Sequence, residues 1–456
     1  METIAELRER LARGESSSEA LVRAALARVE DRSGEGAATF TRVYAARALD
    51  AARKADALRR RGAAPLPLCG IPVSVKDLFD VAGEPTLAGS VVLRGAAPAA
   101  RDADAVARLR SAGAIVIGKT NMTEFAFSGL GLNPHYGTPR SPWDRATGRI
   151  PGGSSSGAAV SVSDGMVAVG LGTDTGGSVR IPAAYCGLVG FKPTARRVSR
   201  EGVVPLSATL DSVGPIARTV ACCALVDAVL SGEAPRPLAP RPARGLRFAV
   251  PGRYVWDGVD AQVARGLERA RSRLTAAAAA VVDVDCAELE ALPEINAKGG
   301  FPGYEARRWH AQLIERGQEH YDPRVLVRIL RGAAMTDQDV ATLKERRAEF
   351  QRLLTRSMES CDALLLPTVP MVAPPLHRVA ASDEEYARAN ALVLRNPSIA
   401  NFFDGCAISL PCHDPGDAPV GLMLIGRPGE DRRLLEAAHA IERIVRPAGW
   451  EGGLAC

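Results

Sequence analysis

From residue 65 onward, short apolar β-like runs (71–75, 114–117, 166–171, 188–191) alternate with helical stretches such as 104–111. Runs that are apolar on both faces must be covered on both faces. The alternation therefore implies an α/β fold with a mixed, mostly parallel central β-sheet and helices on both sides. A further βαβ-like unit is expected over 248–284, a helical block over 305–360, and a closing strand and helix over 420–425 and 432–445. Ahead of this core lie helices. Ile4, Leu7 and Leu11 share one face, serines 16–18 offer a cap before Leu21, Ala25 and Val29, and a third helical run spans 43–58. The Pro- and Arg-rich stretch 231–244 is the best internal boundary.

Composition narrows the function classes. With 46% hydrophobic and 24% charged residues the chain is too apolar to be disordered. Its net charge of +5 is spread along helical stretches, not gathered into the concentrated positive face that nucleic acid requires. Nine cysteines, an odd number with no C-x-x-C pair, argue against a disulfide framework. No run of about 18 apolar residues and no leader-like start is seen, so a cytoplasmic protein without a membrane partner is expected.

Two Gly/Ser-rich segments stand out, 151–157 (Pro-Gly-Gly-Ser-Ser-Ser-Gly) and 172–182 (Gly-Thr-Asp-Thr-Gly-Gly-Ser-Val-Arg-Ile-Pro). Either alone reads as a tight turn. In the second, Gly176, Gly177 and Ser178 fall between an apolar strand and an apolar helix-like run. Consecutive N–H groups of Thr175, Gly176 and Gly177 can then point outward as an oxyanion hole beside the Ser178 hydroxyl. None of the six histidines lies in a motif suggesting a triad partner. Lysine is the alternative base. Lys76 ends the apolar strand 71–75, and its burial would lower the energy, roughly 4–5 kcal/mol, needed to keep a lysine neutral at pH 7. Taken in isolation, Lys76 would pair with Asp77 or Asp80 at the surface.

Segments 70–77 (Gly-Ile-Pro-Val-Ser-Val-Lys-Asp), 152–157 and 174–183, together with 118–126, 190–194 and 419–426, closely resemble the amidase signature family in sequence and order. The resemblance spans about 70 to 444. It implies a serine, cis-serine, lysine triad carried by Ser178, Ser154 and Lys76, with Asp174, Arg180 and Ser155 in support and no cofactor or metal. It also implies one amidase domain over 1–456: N-terminal helices 1–64, a signature core 65–230, the connection 231–244, and a part 245–456 that completes the sheet and the substrate cleft. One departure is Ser156, where the family most often has glycine.

Two rival motifs fail on physical grounds. Residues 113–120 fit G-x-x-x-x-G-K-[ST], but their apolar middle belongs in a buried strand rather than in a phosphate loop. Residues 153–157 fit G-x-S-x-G with Ser155 as nucleophile, yet the polar, Pro-interrupted stretch before them is no strand. The implied reaction is hydrolysis of a small amide, carbamate or carboxylated urea derivative, releasing amine or ammonia. The cleft is expected from the stretch after Met122 and from 298–321, with Phe301, Tyr304, Trp309 and His310 as candidate lining residues. The alternative is the glutamine-hydrolysing subunit of a tRNA-dependent amidotransferase. A homodimer is a further possibility.

Overall fold

The computed structural model describes residues 2–64 and 66–446. Residue 65 and the end of the expected C-terminal part, 447–456, lie outside the described residues. The strands are β1 (Phe40–Val43), β2 (Pro72–Lys76), β3 (Ile115–Thr120), β4 (Val169–Asp174), β5 (Val189–Lys192), β6 (Ser212–Ala217), β7 (Arg247–Pro251), β8 (Ala280–Val284), β9 (Ala363–Pro367), β10 (Ala407–Pro411) and β11 (Gly421–Ile425). They form one sheet in the order β1-β3-β2-β4-β6-β5-β10-β11-β9-β7-β8.

The sheet is mixed, as expected, but "mostly parallel" overstates its parallel share. Strands β3, β2 and β4 are parallel, as are β9, β7 and β8. Between these groups the ladders from β4 through β6, β5, β10 and β11 to β9 are antiparallel. The reason is connectivity. β5 returns as β6, and β10 as β11, without a helical crossover, and parallel neighbours need one. The pattern along the chain does not reveal β6, because Gly214 and Pro215 interrupt its apolar run.

Helices cover both faces, and the inner strands β2, β3, β4 and β6 are buried at every position. The sheet runs on past the connection 231–244, since β7 pairs with β9 and β9 with β11. The helix Ile4–Ala12 buries Ile4, Leu7 and Leu11 and starts on a Thr3/Glu6 capping box. Ser17, within the expected serine cluster, caps the helix Ser18–Glu30. Among the described residues no helix is long and apolar enough to cross a membrane.

The parallel register aligns Val75 of β2 with Leu171 of β4, so both strands end at the same edge of the sheet. Lys76 and the turn after Asp174 meet there, outside the carboxyl ends of parallel strands, where open α/β sheets place their sites.

Candidate active site

Lys76 is completely buried. Its Nζ donates to Ser154 Oγ at 2.7 Å and to Thr173 Oγ1 at 2.8 Å. Burial pushes the ammonium down to about 7, against the opposing charges of Asp211 and Asp174. The surface pairing expected of an isolated lysine does not occur. Successive strand side chains point to opposite sides, and Asp77 meets Lys119 of β3 at 3.2 Å.

Ser154 follows a cis Gly153–Ser154 peptide and is itself fully buried. Ser155 precedes the helix Ser156–Ser163 without capping it through its side chain; it donates its hydroxyl to Thr173 O at 3.3 Å and its N–H to Ser178 O at 3.2 Å. It is a brace between the two Gly/Ser segments. Neither rival motif survives: no strand precedes Ser155, and the middle of 113–120 is β3, with Lys119 tied to Asp77, Pro85 O and Thr86.

Ser178 sits at the turn between β4 and the helix Arg180–Tyr185, 3% exposed, and its Oγ has no hydrogen-bond partner among the described residues. Asp174 organises the turn. Its Oδ1 accepts from Gly177 N (2.8 Å), Arg180 Nη2 (2.8 Å) and Asn401 Nδ2 (2.9 Å), and its Oδ2 from Val179 N and Arg180 Nε (each 3.0 Å). Burial alone would raise this carboxyl, but the Arg180 guanidinium outweighs it and holds Asp174 well below the usual range. Arg180 is saturated in turn by Asn401 Oδ1 and Pro397 O. A buried pair of this kind needs such extra hydrogen bonds to offset its desolvation.

These contacts correct one expectation. The Gly177 N–H is committed to Asp174, so it does not face a substrate. The N–H groups at this turn without an acceptor among the described residues are those of Thr175, Gly176 and Ser178. Gly177 is required for its shape, with φ of 128° and Pro397 and Ile181 where a Cβ would stand.

The turn opens into a cleft of about 770 Å³. Thr175 and Gly176 form its floor, and Leu210, Tyr254, Asn296, Pro302, Arg328 and Leu394 are among its walls. The stretch 298–321 contributes Gly299 and Pro302, not its aromatic residues. Phe301 packs in the core against Phe402, and Tyr304 bonds Asp337 at the surface. Trp309 and His310 both meet the Phe125 ring edge-on, and His310 meets Tyr321 in the same way. Two residues escaped the sequence reading. Asp211 holds the Thr175 hydroxyl at 2.5 Å. Arg328 stands 4.7 Å over the Phe127 ring with its buried Nε unpartnered and no carboxylate paired to it among the described residues. Unpatterned helix positions gave no signal for Arg328. The Asp in Leu-Asp-Ser-Val-Gly-Pro precedes a strand that Gly and Pro conceal.

Comparison with known proteins identifies the family. The family model described as Amidase matches residues 20–435. The chain is 41% identical to 2-amino-5-chloromuconic acid deaminase of Comamonas testosteroni, covering 88% of this chain and 87% of that one. It is 37% identical to a glutamyl-tRNA(Gln) amidotransferase subunit from Anaeromyxobacter sp. (strain K), covering 94% of each. The crystal structure of native peptide amidase from Stenotrophomonas maltophilia superposes with a TM-score of 0.81 at 30% identity, covering 97% and 96%.

Proposed function

The chain belongs to the amidase family and hydrolyses carbon–nitrogen bonds; from that premise we propose that Ser178 is its nucleophile, Ser154 and Lys76 its proton relay, and a small carboxylate-bearing amide or related C–N compound its substrate. The observation that carries this reading is the buried 2.7 Å contact between Lys76 Nζ and Ser154 Oγ, with the lysine pushed down to about 7. A base poised near the working pH serves proton transfer best.

In the reaction, Ser178 Oγ bonds to the substrate carbonyl carbon while its proton passes through Ser154 and Lys76 to the departing nitrogen. The N–H groups of Thr175, Gly176 and Ser178 receive the oxyanion. The C–N bond breaks, amine or ammonia leaves, and Ser178 holds the acyl group as an ester. Water then attacks that ester and gives a proton back along the same relay, restoring Ser178 and releasing the acid.

Arg328 supports the carboxylate. Of the cleft arginines, Arg388 pairs with Glu385 and Arg395 donates to the backbone of Val255 and Asp257. Arg328 is pushed down to about 10 by burial. A guanidinium in that position gains from a planar anion with which it can form two parallel hydrogen bonds. A second reading has its own support in the amidotransferase relatives: glutamine is also a carboxylated amide, and the chain would then pass ammonia to a partner. For location, the eight described cysteines are all free thiols, seven of them buried, which supports the cytoplasm.

A serine-reactive fluorophosphonate followed by peptide mapping tests the nucleophile. Label is expected on Ser178 and is strongly slowed in Lys76→Ala; label on Ser155 instead would sink the reading. A panel of amides with and without a carboxylate tests Arg328. Arg328→Ala should raise KM at least about tenfold for the carboxylated members only, since one charge-assisted pair contributes about 1.5–3 kcal/mol. Glutamine turnover that appears only on adding cell extract would favour the amidotransferase reading.

A further inference from the structure

Asp211 lies just before β6 and is 8% exposed. Its Oδ1 accepts the Thr175 hydroxyl at 2.5 Å, and its Oδ2 accepts the N–H groups of Leu206 (3.0 Å) and Ser207 (3.1 Å). The oxyanion turn is thus held at two points. Asp174 takes the Gly177 and Val179 N–H groups, while Asp211 takes the side chain of Thr175, which lines the cleft and whose own N–H has no acceptor among the described residues.

The loop that Asp211 closes is anchored at the far end as well. Glu305 accepts the Ser207 hydroxyl at 2.5 Å and the Thr209 N–H at 3.2 Å. Glu305 belongs to the helix Gly300–Trp309, which also supplies Pro302 to the cleft wall. A continuous set of hydrogen bonds therefore runs from that wall to the turn.

Asp211 also faces the relay. With Thr173, Ser199, Arg200, Glu201 and Ser212 it lines a separate cavity of about 370 Å³, and Thr173 is the second partner of Lys76 Nζ. The charged groups around Asp211 are Lys76, Asp174 (locked to Arg180), Arg200, whose Nη1 donates to Asp211 O at 3.3 Å, Glu201 across the shared cavity (paired with Arg101), and Glu305 beyond the loop. We infer that Asp211 is a positioning residue of this hydrolysis: its carboxylate fixes the Thr175 end of the oxyanion turn and supplies the negative charge against which Lys76 is balanced. The inference rests on the reading of Ser178 and Lys76 as nucleophile and base.

The sign follows from the charges. An anion near Lys76 favours the ammonium, the inactive form of the base, and opposes the burial that lowers it. Activity rises with pH as Lys76 loses its proton, and removing the Asp211 charge must move that rise to lower pH. Burial pushes Asp211 itself up to about 6, below the about 7 of Lys76, so its charge is mostly present at the midpoint of the lysine's titration and fades over the lower part of the limb.

The test is kcat/KM against pH for Asp211→Asn, which keeps an acceptor for Thr175 but no charge. The acid limb should move to lower pH by about 0.5–1. Thr175→Val, which removes the clamp and keeps the charge, should leave the limb in place and lower kcat about tenfold with KM nearly unchanged, and Thr175→Ser should restore kcat. An unmoved limb in Asp211→Asn, or a wild-type kcat in Thr175→Val, overturns the inference. If Asp211→Asn does not fold, the Thr175 pair decides by itself. Retained activity in Ser178→Ala and Lys76→Met would instead overturn the underlying mechanism, and the two failures are thereby told apart.

Discussion

Lys76 and Lys119 stand at the ends of neighbouring parallel strands, β2 and β3, and both are buried. Lys119 Nζ touches a carboxylate, Asp77 at 3.2 Å, together with Pro85 O and Thr86 Oγ1. Lys76 Nζ touches only the hydroxyls of Ser154 and Thr173. Burial lowers both ammonium groups, but for Lys119 the charge of Asp77 directly opposes it. A contacting carboxylate makes a buried lysine a structural cation. Hydroxyl partners accept its hydrogen bonds but bring no opposite charge, which suits Lys76 to the base role proposed for it.

The hardest test of this contrast is activity. Lys76→Met should lower kcat/KM for any hydrolysed amide by about a hundred- to ten-thousandfold, the usual contribution of a positioned general base. Lys119→Met should keep kcat/KM within about tenfold, because its ammonium reaches the loop at Pro85 and Thr86 and not the relay. Equal losses in the two variants would erase the distinction.

Stability should separate them with opposite signs. Lys119→Met leaves Asp77 buried without its cation, and breaking a buried pair from one side costs about 3–5 kcal/mol. Lys76→Met removes a group that burial disfavours and replaces it with a side chain of similar length, so it should stabilise at pH 7 by about 2 kcal/mol. Urea midpoints at constant slope are the measurement. A destabilised Lys76→Met would mean that its hydrogen bonds outweigh its desolvation.

Much of this was legible before the fold. Ser178 and Ser154 fall in short segments rich in glycine and serine, and Lys76 ends a short apolar strand, so backbone shape and chemistry leave their mark on the segments that hold these candidates. What was hidden depends on the third dimension. Asp77 adjoins Lys76 in sequence, yet the strand pleat sends it to Lys119. The Gly177 N–H looked available until Asp174 folded back onto it. Phe301, an aromatic residue in a weakly patterned stretch, belongs to the core and not to the cleft. Asp211 and Arg328 reach the site from an interrupted strand edge and a distant helix, and nothing local in their segments announces it. The antiparallel centre of the sheet escaped notice for the same reason: β6 and β10 pair on either side of β5, and β10 comes from a segment more than 200 residues further along the chain.

The smallest expected effect is the pH dependence of that stability difference. Folded Lys76 loses its proton near 7, whereas an unfolded lysine does so near 10.4. Between those values the unfolded chain binds more protons at this position, so its contribution to stability is unfavourable at pH 7 and fades as pH approaches 10. Lys192, lowered to about 8 by burial, titrates inside this window, and burial raises the Cys412 thiol to about 12 while an unfolded thiol loses its proton at about 8.5, so the wild-type curve alone does not isolate one lysine. The difference between wild type and Lys76→Met does. The advantage of the variant at pH 7 should therefore disappear before about pH 10, with the wild type the more stable of the two by then. A constant difference across that window would mean that Lys76 stays protonated in the folded protein, and a lysine that keeps its proton cannot be the base of the relay.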